Sequence, residues 1–149
     1  MLKKHWALII LALVTFLAYI NVYQNVFISD DIDGILKNKD IGNLEMQIKS
    51  LQPVSIINSS VFLMFGKSAP YYHFVNFAIH IANVFLVYAL VYLIANKKTP
   101  PAGGQVAFFT AFLFALHPVH TEAVTWISGK PYVLYSFFLL LSLILFILY

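Results

Sequence analysis

The chain has no cysteine, and only 10% of its residues are charged. Without cysteine, no disulfide framework and no thiolate metal site can form. The shortage of charge excludes an ordinary soluble domain, where about 25% of residues are charged. Arginine is also missing: all nine basic side chains are lysines, scattered singly and in pairs. A net charge of +3 spread in this way does not suggest a nucleic-acid partner. Small lysine groups suit topology signals and contacts with membrane lipids. What the chain has in quantity is apolar surface, at 61% hydrophobic residues and a mean hydropathy of +0.83. The bilayer is therefore the expected solvent.

Four apolar runs give an all-α membrane protein with about four transmembrane helices, near 6–23, 71–95, 102–117 and 132–149. A helix needs about 20 apolar residues to span, and the third run is the shortest. The first run follows Lys3 and Lys4, is too long for a signal-peptide core and lacks a cleavage site, so it reads as an uncleaved anchor. The fourth is still apolar at Tyr149, which points to the front piece of a longer protein. Lys3, Lys4, Lys97 and Lys98 lie in short segments without acids, which places those segments and the N-terminus on the cytoplasmic side. The external loop 24–70 and the segment 117–131 then share the opposite face. Lysine-only usage suggests an AT-rich prokaryotic genome and hence a cytoplasmic membrane.

The external loop carries structure of its own. Ile41, Leu44, Ile48 and Leu51 follow helical spacing, which predicts an interfacial helix. Val54 to Phe65 is apolar but too short to span, so it reads as an interfacial or re-entrant helix. Pro53 suits its first turn and Gly66 its end. Asn58-Ser59-Ser60 matches a glycosylation sequon, but its apolar setting speaks against modification.

Polar residues interrupt this pattern in three places. Polar groups at a membrane edge are costly, so each needs a reason. Asp30, Asp31 and Asp33 follow the first span: either they solvate a helix start, or one carboxylate is a general base or metal ligand. On the second span, His73, Asn76, His80 and Asn83 lie within an arc of about 80° at helical spacing. Such a stripe makes interhelical hydrogen bonds, lines a substrate cavity, or ligates a metal or haem. Pro118 breaks the third span at His117. The hairpin Ala115-Leu116-His117-Pro118-Val119-His120-Thr121-Glu122 then leads into a short helix over Thr121 to Ile127, ended by Gly129 and Pro131. His117, His120 and Glu122 either bind a divalent metal, shape the turn, or touch a phosphate or sugar.

Four blocks taken together resemble a known family. Phe27-Ile28-Ser29-Asp30-Asp31-Ile32-Asp33-Gly34-Ile35 with Asn38-Lys39-Asp40 is the first. Gln52-Pro53-Val54 is the second. The third is Phe65-Gly66, Pro70, Tyr72-His73, Val75-Asn76 and His80. The fourth runs from Phe114 through His117-Pro118-Val119-His120-Thr121-Glu122-Ala123-Val124 to Ile127-Ser128-Gly129-Lys130. Their order and spacing resemble the membrane O-mannosyltransferases that carry tetratricopeptide repeats.

That resemblance implies part of a C-type glycosyltransferase fold, with its active site on the noncytoplasmic side. It implies a polyprenyl-phosphate sugar donor, possibly of mannose, and a protein or glycan acceptor. The expected catalytic carboxylate is Asp30 or Asp31. The leaving phosphate needs positive charge from Lys130, a histidine or a divalent metal. His117, His120, Glu122, His73 and His80 are the other candidates for substrate binding. The family's arginine before the loop proline is Gln52 here, and no acid follows Gly129-Lys130. The piece alone is expected to be inactive. The competing reading is a small non-catalytic membrane protein that binds a partner or a lipid-linked sugar.

Overall fold

The computed structural model describes residues 4–98 and 102–149. Lys3, used above for orientation, lies outside them. Helix α1, Lys4–Tyr19, continues into a 3-10 turn at Ile20–Gln24. Helix α4, Ala69–Lys98, has 30 residues and is about 45 Å long at 1.5 Å per residue. Helix α7 runs over Lys130–Leu148. Among the described residues, three segments are long and apolar enough to cross a membrane: His5–Gln24, Ala69–Lys97 and Ile127–Leu148.

Helix α5, Gly103–Leu116, is the third apolar run and has only 14 residues. At about 21 Å it falls short of a hydrocarbon core of about 30 Å. Its end has a local cause: His117 is extended, with ψ 125°, because Pro118 disfavours helix in the residue before it. Four small residues, Gly103, Ala107, Ala111 and Ala115, recur every fourth position on one buried face. They let α5 lie close against Val84, Val87 and Tyr88 of α4, with Ala7 and Leu11 of α1 closing the same core. Gly103 is required by that approach. A Cβ there would stand 2.6 Å from the Asn96 backbone.

The segment between α1 and α4 departs from the expected interfacial helix. Only Leu44–Lys49 is helical (α2), capped by the Asn43 side chain, which accepts a 3.0 Å bond from the Met46 amide. Ile41 and Gln47 face the protein, whereas Ile48 and Leu51 do not. Leu51 sits in the left-handed region with φ 53°, which ends the helix and turns its side chain outward. Helix α3, Pro53–Phe65, matches expectation, with proline in its first turn and Gly66 at φ 65° closing it. Beyond α5, a 3-10 turn at Pro118–His120 leads to α6, Thr121–Thr125. Trp126 is extended and breaks the expected helix, and a second 3-10 turn follows at Ile127–Gly129. Pro131 begins α7 instead of ending its predecessor, because proline suits a first turn.

Candidate functional site

The two neighbouring aspartates have different surroundings. Asp31 is fully buried. One of its oxygens accepts from the Ser128 amide at 2.8 Å and the Ser128 hydroxyl at 2.5 Å. The other accepts from the Ile28 amide at 3.2 Å. Three donors replace the water that a buried carboxylate gives up. Asp30 is exposed, directly after Ser29, whose φ of 49° turns the chain sharply there. Lys130 is also fully buried. Its ammonium donates to the Asn58 side-chain oxygen and lies 5.7 Å from the Tyr72 ring centroid. Asp31 is the acid whose charge acts on it. The result is a polar knot that ties the first loop, α3 and the start of α7 together.

The stripe on α4 faces inward along its whole length, and its four side chains are buried. Asn76 donates to the carbonyls of Trp126 and Ile127, at 2.8 and 3.3 Å. Each carbonyl also accepts a backbone amide, Trp126 from Gly129 and Ile127 from Lys130, so Asn76 adds a second donor to this turn. Asn83 donates to the Val133 carbonyl at 2.9 Å. The two histidines of the stripe are less satisfied. His73 makes no close hydrogen bond from either ring nitrogen, nor does Nε2 of His80.

His80 is the inner member of an aromatic group. Its ring centroid is 5.3 Å from Tyr19, 5.7 Å from Phe114 and 5.5 Å from His120. Phe114 and His120 are 4.4 Å apart. His117, at the exposed turn, accepts from the Val119 amide at 3.2 Å and so shapes the hairpin. Partial burial, and then the nearby His117, hold the His120 pKa below the ordinary 6.5. His80, Asn83, Phe114, His120, Glu122 and Tyr132 line an open recess of about 380 Å³.

The structure therefore divides the expected site residues. Asp31 and Lys130 meet in the knot, and Asp30 stands beside it in solvent. His80, His120 and Glu122 share the recess, while His73 lines a separate apolar groove beside Phe16, Tyr19 and Phe74 of about 300 Å³. The divalent site suggested at His117, His120 and Glu122 is not formed. Among the described residues, no three His, Asp or Glu side chains stand close enough to hold a metal ion. Each of the three instead has its own direction at the turn, the recess or its rim. Asn58 and Ser128 were not anticipated as partners. A polar Asn58 inside an apolar run was the available signal, whereas nothing local distinguishes Ser128.

The geometry also joins the four sequence blocks. Asp31 of the first bonds Ser128 of the fourth, and Asn76 of the third bonds the fourth at Trp126 and Ile127. The second block begins α3, which reaches Lys130 through Asn58. Such cross-linking gives similarity across all four a structural meaning.

No family model matches the chain, and no solved structure matches it. Curated relatives do. Protein O-mannosyl-transferase TMTC1 of Homo sapiens is 31% identical over 147 residues, covering 85% of this chain. Protein O-mannosyl-transferase TMTC4 of Homo sapiens is 26% identical over an alignment of 168 positions that covers 95% of this chain. A relative from Caenorhabditis elegans, protein O-mannosyl-transferase F38B6.6, is 28% identical over 93% of the chain. The chain spans 16%, 23% and 22% of these relatives' own lengths. They are animal proteins, so the prokaryotic setting suggested by lysine usage finds no support. Over most of its length, this integral membrane chain resembles the O-mannosyl-transferases.

Proposed function

We propose that the chain serves sugar transfer in the membrane, carrying mannose from a polyprenyl-phosphate carrier to a protein hydroxyl on the noncytoplasmic side. The N-terminus is then cytoplasmic, and the first loop and the hairpin are external. The carrying observation is the division of labour between the aspartates. Asp31 spends its acceptors on Ser128 and Ile28, which fixes the loop and leaves Asp30 exposed beside it.

In this reading the Asp30 carboxylate takes the proton of the acceptor hydroxyl. The acceptor oxygen attacks the anomeric carbon, the bond from that carbon to the phosphate oxygen breaks, and polyprenyl phosphate leaves with the electron pair. Attack opposite the leaving group inverts the anomeric centre. Lys130 is enclosed by Asn58 and Tyr72, so its role is to anchor α3 and not to meet the phosphate. Among the described residues, His117, His120 and Glu122 do not gather to hold a metal ion. The transfer belongs to the whole protein, since the chain spans under a quarter of the relatives' lengths.

The test is mannosyl transfer from polyprenyl-phosphate mannose to an acceptor peptide, in membranes carrying the full-length protein. Asp30→Asn should lower the rate by about 100-fold or more, the usual contribution of a general base, with insertion and thermal stability unchanged. Unchanged transfer in this variant would overturn the proposal.

A further inference from the structure

A cleft that neither the knot nor the recess shares opens where α1 ends. The 3-10 turn at Ile20–Gln24 contributes Asn21 and, just after it, Asn25, while α6 contributes Thr121 and Thr125. Its volume of about 440 Å³ lies within the range of ligand sites, about 300–1,000 Å³. Asn21, Asn25 and Thr121 are exposed and Thr125 is half-buried, so a ligand can reach them. Among the described residues, the side chains of Asn21, Asn25 and Thr125 have no hydrogen-bond partner.

The backbone alongside is unpaired as well. At Asn25 the chain is extended, with φ −69° and ψ 147°, and it stays outside regular secondary structure as far as Ile28. Phe27 turns inward onto Tyr72, with ring centroids 5.5 Å apart, whereas Val26 points outward and is 68% exposed. That alternation is the pattern of a strand. Among the described residues, nothing bonds the amides or carbonyls of Val26 and Phe27. An extended edge with free groups is a template for a second strand.

The chemistry of the cleft selects its ligand. Among the described residues, the one ionisable side chain that lines it is the buried phenol of Tyr19. A phosphate would find no cation there, and a metal ion no carboxylate or imidazole. Tyr19 is also the one aromatic wall, and its burial leaves no open face for a sugar ring. An asparagine amide offers donors on one side and an acceptor on the other, which matches the donor and acceptor of a peptide group.

We propose that this cleft and the Val26–Phe27 segment dock an extended, uncharged polypeptide segment of a partner protein by pairing with its main chain. Asn21 and Asn25 meet its peptide groups, and the free backbone of Val26 and Phe27 receives it as an added strand. The docking reads main chain and needs no hydroxyl, so it goes beyond the transfer reading and stands apart from it.

Fluorescence anisotropy of a dye-labelled octapeptide of alternating glutamine and alanine, capped at both ends, tests this on the full-length protein in nanodiscs. The peptide carries no charge and no hydroxyl, so it cannot accept a sugar and its binding is read independently of transfer. It should bind saturably, and empty nanodiscs should not take it up. The same peptide methylated on every backbone nitrogen should fail to bind. Asn21→Ala combined with Asn25→Ala should weaken binding about tenfold or more. The unfolding midpoint should not move, because both side chains are exposed and unbonded. A second variant, Ala18→Trp, fills the cleft from α1 and should abolish binding, while Asp30→Asn should preserve it. No binding by the native protein, or full affinity in Ala18→Trp, overturns the inference. Equal binding of the methylated peptide also overturns it, since the main chain would then go unread. So does equal uptake by empty nanodiscs, which would assign the signal to lipid.

Discussion

The knot around Asp31 and the recess beneath His80 both lean on α4 and both bury polar side chains, yet one is closed and the other is open. In the knot, every oxygen of Asp31 has a donor and Lys130 has Asn58 and an aromatic face. In the recess, Asn83 Oδ1 and His80 Nε2 have none. Both contain residues of the kinds that membrane proteins keep for function. Satisfaction of their hydrogen bonds separates the two: the knot is saturated and holds elements together, while beside the recess two buried acceptors stay unpaired.

That contrast should appear as unequal stability. The largest loss is expected for Asp31→Ala, which strips three hydrogen bonds and leaves Lys130 buried without its nearby countercharge. Thermal or denaturant unfolding in detergent should show a loss of about 3 kcal/mol or more. An effect under about 1 kcal/mol would mean that the knot is hydrated and no different from a surface cluster. Asn76→Leu comes next, at about 1–2 kcal/mol, since it removes both side-chain bonds that tie α4 to the Trp126 and Ile127 carbonyls, which keep their backbone donors. His80→Phe keeps the ring packing against Tyr19 and Phe114 and removes an unpaired acceptor, so its cost should stay below about 1 kcal/mol. A cost equal to that of Asn76→Leu would place the recess in the same structural class as the knot.

The smallest effect concerns pH. The folded state holds the His120 pKa below 6.5, so the folded protein binds this proton less readily than the unfolded chain. Its contribution is complete above about pH 6.5 and is lost as pH falls from there toward the depressed value. The unfolding midpoint should therefore drop on acidification, and His120→Gln should flatten that part of the profile. An identical profile in the variant would assign the acid sensitivity to other groups.

Much of the fold was legible because membrane solvation leaves few options. Long apolar runs must become helices, and α1, α4 and α7 appear where hydropathy places them. Pro118 was a readable stop signal, and Pro53 and Gly66 bracketed α3 correctly. The Ile41–Leu51 pattern misled, because apolar spacing marks a face without saying which neighbour covers it. Left-handed Leu51 and buried Gln47 show another face in use. The metal suggested at His117, His120 and Glu122 failed for a similar reason. Residues close in sequence around a proline turn need not point together. Asp30 and Asp31 could not be told apart at all, since their difference is made by Ser128, 97 residues beyond Asp31.

The sequence by itself determined the solvent, the helical class, the long spans and the break before Pro118, because each follows from local hydrophobicity or backbone sterics. Tertiary structure alone decided which aspartate is buried, that Asn58 receives the Lys130 ammonium, and that Asn83 Oδ1 and His80 Nε2 are buried without partners. Those outcomes depend on which donors distant segments bring into contact, and hydrogen-bond satisfaction at long range leaves no periodic signal in a chain.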